Sequence, residues 1–211
     1  MRLSNASNIF ICGMSGCGKS TITHKLSHQA KFARKIVFDY VEEWTGTHYA
    51  QTYEEFQKIW RDNFHKPSYT IVVRFPFGTP EKSIQETSAR IVTLIYNTGR
   101  QSQLHTAIIF EECHFYFPSN YIHPVFKSLF TTGRHAYMNM ITNTQRPASV
   151  HKLVISQSPE VFIGRLFEAN DIFYLKETVG DIALQASDLL PFEFIHYQVG
   201  RPEDSKIVTL R

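Results

Sequence analysis

The chain has 211 residues, a mass of 24.5 kDa and a formal net charge of +3, from 22 Lys and Arg against 19 Asp and Glu. With 43% apolar, 19% charged and 14% aromatic residues, the composition is that of a globular chain and excludes a disordered or fibrous one. So mild a positive excess also excludes a histone-like protein that holds nucleic acid by bulk charge, while leaving room for a local basic patch or a basic ring in an oligomer.

In chain order, strand and helix patterns alternate. Residues 7–12 (SNIFIC) are a short apolar run ending at Gly13, and residues 19–30 predict a helix with Ile22, Leu26 and Ala30 on one face. Residues 35–39 (KIVFD) predict a second strand. Residues 53–63 predict a helix with Phe56, Ile59 and Trp60 at helical spacing, and residues 69–74 (YTIVVR) a β-branched strand. Thr79-Pro80-Glu81 reads as a cap with Pro at the first helical position, opening a helix that carries Ile84, Ile91, Val92 and Ile95 and stops near Gly99. Residues 105–110 and 137–143 are the fourth and fifth strands, joined by a helix around 125–132. Then come a short strand at 161–164, two short helical stretches and a C-terminal strand pair at 194–199 and 206–210. This alternation predicts a mostly parallel central sheet flanked by helices on both faces. No linker divides it, so residues 1–211 read as one α/β domain.

Cys12, Cys17 and Cys113 cannot build a disulfide framework. No charged-then-apolar leader opens the chain. The longest uncharged stretch, from Leu3 to Gly18, is broken by Ser, Asn and Gly and falls short of the ~18 apolar residues of a membrane span. These features lead us to expect a reduced, soluble, cytoplasmic protein without a membrane span. Cys113, His114 and nearby His123 lack a C-x-x-C partner, which argues against a zinc cluster.

The first motif with chemical content is Gly13-Met14-Ser15-Gly16-Cys17-Gly18-Lys19-Ser20, a Walker A pattern lying between an apolar strand and an amphipathic helix. A triphosphate tail can be ringed by backbone N–H groups only where the chain turns tightly, which glycine permits. The following helix aims its positive end at the phosphates. The expected nucleotide-binding residues are Gly13, Ser15, Gly16, Cys17, Gly18, Lys19, Ser20 and Thr21. Lys19 would reach the β- and γ-phosphates of ATP, and the Ser20 hydroxyl would ligate Mg²⁺. Cys12 and Cys17 otherwise read as small packing residues.

The second motif is the apolar strand 106–110 running into Glu111-Glu112, a Walker B pattern at the carboxyl edge of the sheet, where ligands of open α/β sheets bind. Glu111 would hold Mg²⁺ through water, and Glu112 would polarise the attacking water.

Three further passages resemble the FtsK–HerA superfamily of P-loop ATPases, and in particular the compact genome-packaging ATPases of membrane-containing double-jelly-roll viruses. These are Phe38-Asp39-Tyr40 before Glu42-Glu43; Glu111-Glu112-Cys113-His114; and Gly133-Arg134-His135 followed by Ile141-Thr142-Asn143-Thr144-Gln145-Arg146-Pro147. The resemblance spans about residues 7–200. It departs from the family at Glu111, where Asp is common. It implies a RecA-like P-loop NTPase fold of the additional-strand type, with Gln145 ending a strand between the Walker A and Walker B strands and sensing the γ-phosphate. It also implies that Arg134 acts as an arginine finger across a subunit boundary, with Arg146 and Arg165 as rivals, in a ring, expected to be a hexamer.

The function so implied is an ATP-hydrolysing motor that moves double-stranded DNA into a viral capsid, with capsid or packaging-vertex proteins as partners, acting in the host cytoplasm or at the virion vertex. The absence of the membrane or accessory domains of cellular relatives favours the small viral type. The alternatives are another DNA pump of the superfamily (conjugation, chromosome or phage export), a nucleoside or nucleotide kinase, and a non-hydrolysing nucleotide-binding assembly protein. Lys82, Arg100, Lys127, His151 and Lys152 are candidate DNA phosphate contacts, none of them singled out by the sequence.

Overall fold

A computed structural model of the protein describes residues 8–28 and 32–210, with the side chain of Arg100 outside that description. Its strands are β1 (Asn8–Cys12), β2 (Arg34–Phe38), β3 (His48–Ala50), β4 (Tyr69–Val73), β5 (Thr106–Phe110), β6 (Met138–Thr144), β7 (Glu160–Ile163), β8 (Glu193–Gln198) and β9 (Lys206–Thr209). Its helices are α1 (Lys19–Ser27), α2 (Tyr53–Asn63), α3 (Glu81–Ser102), α4 (Pro124–Thr132), α5 (Lys152–Ser156) and α6 (Ala169–Val179). The strands form one sheet in the order β3-β4-β2-β5-β6-β1-β7-β8-β9. The first seven in that order pair parallel, and β8 and β9 close the sheet antiparallel.

The strands are near-continuous apolar runs because both sheet faces are covered. Phe10, Cys12, Ile36, Phe38, Ile108 and Phe110 point into one core, against α2, α3, α4, α5 and α6. Ile9, Ile11, Val37, Ala107 and Ile109 point into the other, against Ile22 and Leu26 of α1 together with Phe32 and Trp44. Helices therefore lie on both faces, as expected, but unevenly: among the described residues α1 is the single α-helix on its side.

The order of the strands builds the site. β6 lies between β1 and β5, so the turns that follow Cys12, Phe110 and Thr144 emerge side by side at one edge of the sheet. This is the placement expected for the strand ending at Gln145.

Several boundaries differ from the sequence reading. Ser7 and Ala30, assigned to the first strand and first helix, lie outside the described residues. Pro80 is the N-cap of α3 rather than its first helical residue, and Thr79 donates its hydroxyl to the Pro76 carbonyl (2.6 Å) instead of capping the helix. α3 continues past Gly99 to Ser102 and stops at Gln103, which takes a left-handed conformation (φ 53°). Two helical stretches follow β7 as expected, α6, a full 11 residues long, and a 3-10 segment at Asp181–Ser187, while α5 before β7 had no counterpart in the sequence reading. Among the described residues, no helix is long and apolar enough to cross a membrane.

Candidate nucleotide site

The phosphate loop is tied down from both flanks of β1. Gly13 N–H donates to the Thr144 carbonyl (3.2 Å), Met14 N–H to the Arg165 carbonyl (2.8 Å) and Gly164 N–H to the Cys12 carbonyl (2.7 Å). Glycine is required at two points. At Gly13, φ is 153°, and a Cβ would stand 2.6 Å from Cys17 Sγ and 3.1 Å from Gly164 Cα. At Gly18, φ is 102°, and a Cβ would strike the Phe192 ring at 2.7 Å. Gly18 is the N-cap of α1; no side chain caps that end and its first turn holds no acidic residue. The amide donors and positive end of α1 are therefore left for an anion.

A cleft of about 300 Å³ opens in front of this helix end. Ser15, Gly16, Gly18, Lys19, Ser20 and Thr21 line it on the loop side, and Val41, Glu43, Glu111, Glu112, Gln145 and Phe192 on the other. Of the eight residues expected to bind nucleotide, Gly13 and Cys17 stand behind the cleft. Cys17 turns its thiol inward against Gly13 and Gly164, where burial pushes its pKa up, and all three cysteines are buried free thiols. Lys19 is buried, with its ammonium donating to the Met14 carbonyl (3.0 Å).

Glu111 follows β5 directly and is 3% exposed. Its Oε1 accepts from the Trp44 indole N–H (2.8 Å) and its Oε2 from the Asn143 amide (2.5 Å). Burial pushes its pKa up to about 7, and those two hydrogen bonds hold the rise in check. Glu112 takes a left-handed conformation (φ 48°, ψ 57°), which costs a non-glycine residue roughly 1–3 kcal/mol. The conformation is held in place: its N–H donates to Asn143 Oδ1 (3.2 Å), and its carboxylate accepts from Gln145 Nε2 (2.8 Å) and Gln145 N–H (3.1 Å). His114 Nδ1 lies 3.4 Å from the same carboxylate and 3.0 Å from Thr144 Oγ1, and burial lowers its pKa.

The sheet thus brings Lys19, Ser20, Glu111, Glu112 and Gln145 to one cleft. It does not bring Arg134 there. Arg134 is exposed in a short turn (Gly133–Ala136) that precedes β6, at the opposite edge of the sheet. The seven residues of β6 separate the two edges by roughly 23 Å at ~3.3 Å per residue. Arg146 lines an adjoining hollow of about 430 Å³ that shares Ser15 and Gln145 with the cleft. Arg165 lies 4.6 Å from the Phe167 ring. Among the DNA candidates, Lys82 pairs with Glu86 (3.9 Å), Lys152 pairs with Glu177 (2.6 Å), and His151 accepts from Leu153 N–H (3.2 Å).

Three residues of the site carried no assigned role in the sequence reading. Asn143 bonds both acidic residues, Trp44 bonds Glu111, and the Phe192 ring walls the cleft above Gly18 while its N–H donates to the Cys17 carbonyl (2.9 Å). A signal existed only for Asn143, a polar residue in the buried end of an apolar strand.

The donor set fits Mg²⁺. Ser20 and Glu111 line the same cleft, and among the described residues no three His, Cys, Asp or Glu side chains could hold a metal by themselves. A cation here would complete its shell with phosphate and water oxygens, as Mg²⁺ does. The charge balance agrees. Glu43, Glu111 and Glu112 face the cleft against one cation, Lys19, among the described residues.

No family model and no curated protein sequence matches the chain. Solved structures do. The genome packaging NTPase B204 from Sulfolobus turreted icosahedral virus 2, in complex with AMPPCP, matches with a TM-score of 0.72 at 18% identity over 99% of this chain and 100% of that one. VirB4 of Thermoanaerobacter pseudethanolicus matches with a TM-score of 0.72 at 9% identity over 100% and 91%. The bacterial conjugative coupling protein TrwBdeltaN70 matches with 0.63 at 9% over 99% and 86%. The fold expected from the FtsK–HerA resemblance is the fold observed.

Proposed function

We propose that the chain is an Mg²⁺-dependent ATPase that translocates double-stranded DNA, and specifically a viral genome-packaging motor. The observation that carries the catalytic part is Glu112. Its carboxylate accepts from Gln145, its backbone N–H donates to Asn143, and it stands across one cleft from Lys19 and Ser20. Likeness in fold to a genome packaging NTPase and to a bacterial conjugative coupling protein supports the DNA-translocating part.

In this reading Ser15, Gly16, Gly18 and Thr21 surround the triphosphate, and Lys19 leaves the Met14 carbonyl for the β- and γ-phosphates. Ser20 and Glu111 hold Mg²⁺, which when bound neutralises phosphate charge. Glu112 orients a water molecule and draws its proton, while Gln145 fixes the Glu112 carboxylate and senses the γ-phosphate.

The cleft lacks an arginine among its described lining residues, so beside Mg²⁺ only Lys19 among them would meet the developing transition-state charge. A cation from a neighbouring subunit would complete it. Arg134, exposed and remote from its own cleft, is the residue we assign to that task, in a ring of six subunits. Duplex DNA and capsid or packaging-vertex proteins are the proposed partners, in the host cytoplasm or at the virion vertex.

The test is ATP hydrolysis by wild type, Glu112→Gln and Arg134→Ala, with and without duplex DNA. Glu112→Gln should retain nucleotide binding and lose roughly 10²–10⁴ in kcat. Arg134→Ala should lose roughly 10³–10⁵. Mixing the two variants should restore part of the activity, because one supplies the finger and the other the base. Two variants that assemble normally yet give no recovery on mixing would rule out Arg134 as the finger. A wild type that transfers phosphate to a nucleoside, or binds ATP without turnover at every protein concentration, would rule out the motor.

A further inference from the structure

The two elements expected to share a cation are not neighbours in the sheet. Ser20 opens α1, which β1 feeds, Glu111 follows β5, and β6 lies between β1 and β5. Something other than strand pairing has to set their spacing. Two side chains reach across. Asn143, on β6, donates to Glu111 Oε2 (2.5 Å) and to Thr23 Oγ1 on α1 (3.2 Å). Trp44, from the loop after β2, donates its indole N–H to Glu111 Oε1 (2.8 Å) and stacks on the His24 ring of α1, with centroids 3.8 Å apart and planes 24° from parallel.

Trp44 is itself clamped. It is 3% exposed, its N–H donates to Asp39 Oδ2 (3.1 Å), and its carbonyl accepts from Arg74 Nη2 (2.6 Å). Arg74 closes the brace by pairing with the same Asp39 carboxylate at 3.0 Å. The ends of β2 and β4 thus hold a rigid aromatic wedge between α1 and the acid after β5.

We infer that Trp44 is a positioning residue for the metal–nucleotide site, fixing the direction of the Glu111 carboxylate and its distance from the start of α1. The inference rests on the nucleotide and Mg²⁺ reading above. Its chemistry is specific. An indole N–H donates and cannot accept, so it matches a carboxylate oxygen and leaves that oxygen a second lone pair for a metal or its water. A ring packed against His24 and bonded at its rim has no room to swing. Groups that orient metal ligands in this way are typically worth 10- to 100-fold in metal affinity.

Trp44→Phe keeps an aromatic ring that can pack against His24 and removes the N–H together with the smaller ring of the indole, which is why thermal unfolding is followed as well. The measurement is Mn²⁺ affinity, by calorimetry, with a non-hydrolysable ATP analogue bound. Affinity for the same analogue in EDTA and thermal unfolding are measured beside it. We expect Mn²⁺ binding to weaken 10- to 100-fold while metal-free analogue binding changes less than threefold. Arg74→Met, which loosens the brace from a distance, should weaken Mn²⁺ in the same direction by a smaller factor. A measurement on wild type needs no substitution: of the two indole N–H proton resonances, from Trp44 and Trp60, one should shift when Mg²⁺ joins the analogue complex. Mn²⁺ affinity within threefold of wild type in folded Trp44→Phe, or two indole signals that ignore Mg²⁺, overturns the inference. A wild type that binds no metal–nucleotide overturns the earlier reading and this one together.

Discussion

Glu111 binds protons more tightly folded than unfolded, since burial raises its pKa from 4.5 to about 7. Without metal, the folded state therefore holds a proton that the unfolded state releases once pH exceeds about 4.5. Stability should fall as pH rises from there to about 7, by roughly 3 kcal/mol at 1.36 kcal/mol per pKa unit. Urea denaturation of the metal-free protein at pH 5 and pH 8 checks this, and Glu111→Gln should remove most of the difference. The pattern downstream of the phosphate loop marked Glu111 as a candidate metal ligand, whereas an apolar run ending in two glutamates would by itself read as the start of a solvated loop. Its partners were not legible. Trp44 lies 67 residues away in a loop with no periodic pattern, and the left-handed backbone of Glu112 depends on a contact with Asn143 that only folding creates. Gln145 and Asn143 sat inside a passage read by resemblance, which pointed to their stretch of chain without stating which atoms meet.

At the level of elements, the parallel strands were readable because burial on both faces makes each an unbroken apolar run. β3 was not readable: three residues, His-Tyr-Ala, pairing among the described residues with β4 alone, carry too little pattern. The start of β2 was missed for a different reason. Arg34 looks like a solvated charge ahead of the strand, yet it is 1% exposed. Its guanidinium donates to the Phe64 and Leu104 carbonyls (2.6 and 3.2 Å), Ser102 Oγ (2.9 Å) and the Tyr69 hydroxyl (2.9 Å), and lies 5.1 Å from the Tyr69 ring centre. It therefore joins β2 and β4 to the ends of α2 and α3 at the edge of the sheet opposite the cleft. Arg34→Ala would leave a cavity and orphaned acceptors, and should cost about 3 kcal/mol or more in urea denaturation. The cleft lies at the far ends of the strands, so nucleotide affinity of the folded fraction should change little.

For the whole molecule, the proposed active site, completed by a neighbour's arginine, would make specific activity a function of concentration. Turnover per subunit should climb with protein concentration and level off when the ring is complete, in step with the sedimenting mass. DNA stimulation should also fall steeply with salt. A ring meeting about six to ten phosphates would lose roughly 10³–10⁵ in DNA affinity between ~50 and ~200 mM. The net charge of +3 is small enough that such contacts would be local patches, which composition alone could not locate. One further consequence follows from the two outermost strands of the sheet. β3 has three residues and β9 four, the latter opening with an exposed Lys206. Margins this short offer little unpaired main chain for lateral zippering, which disfavours edge-to-edge fusion of crowded copies.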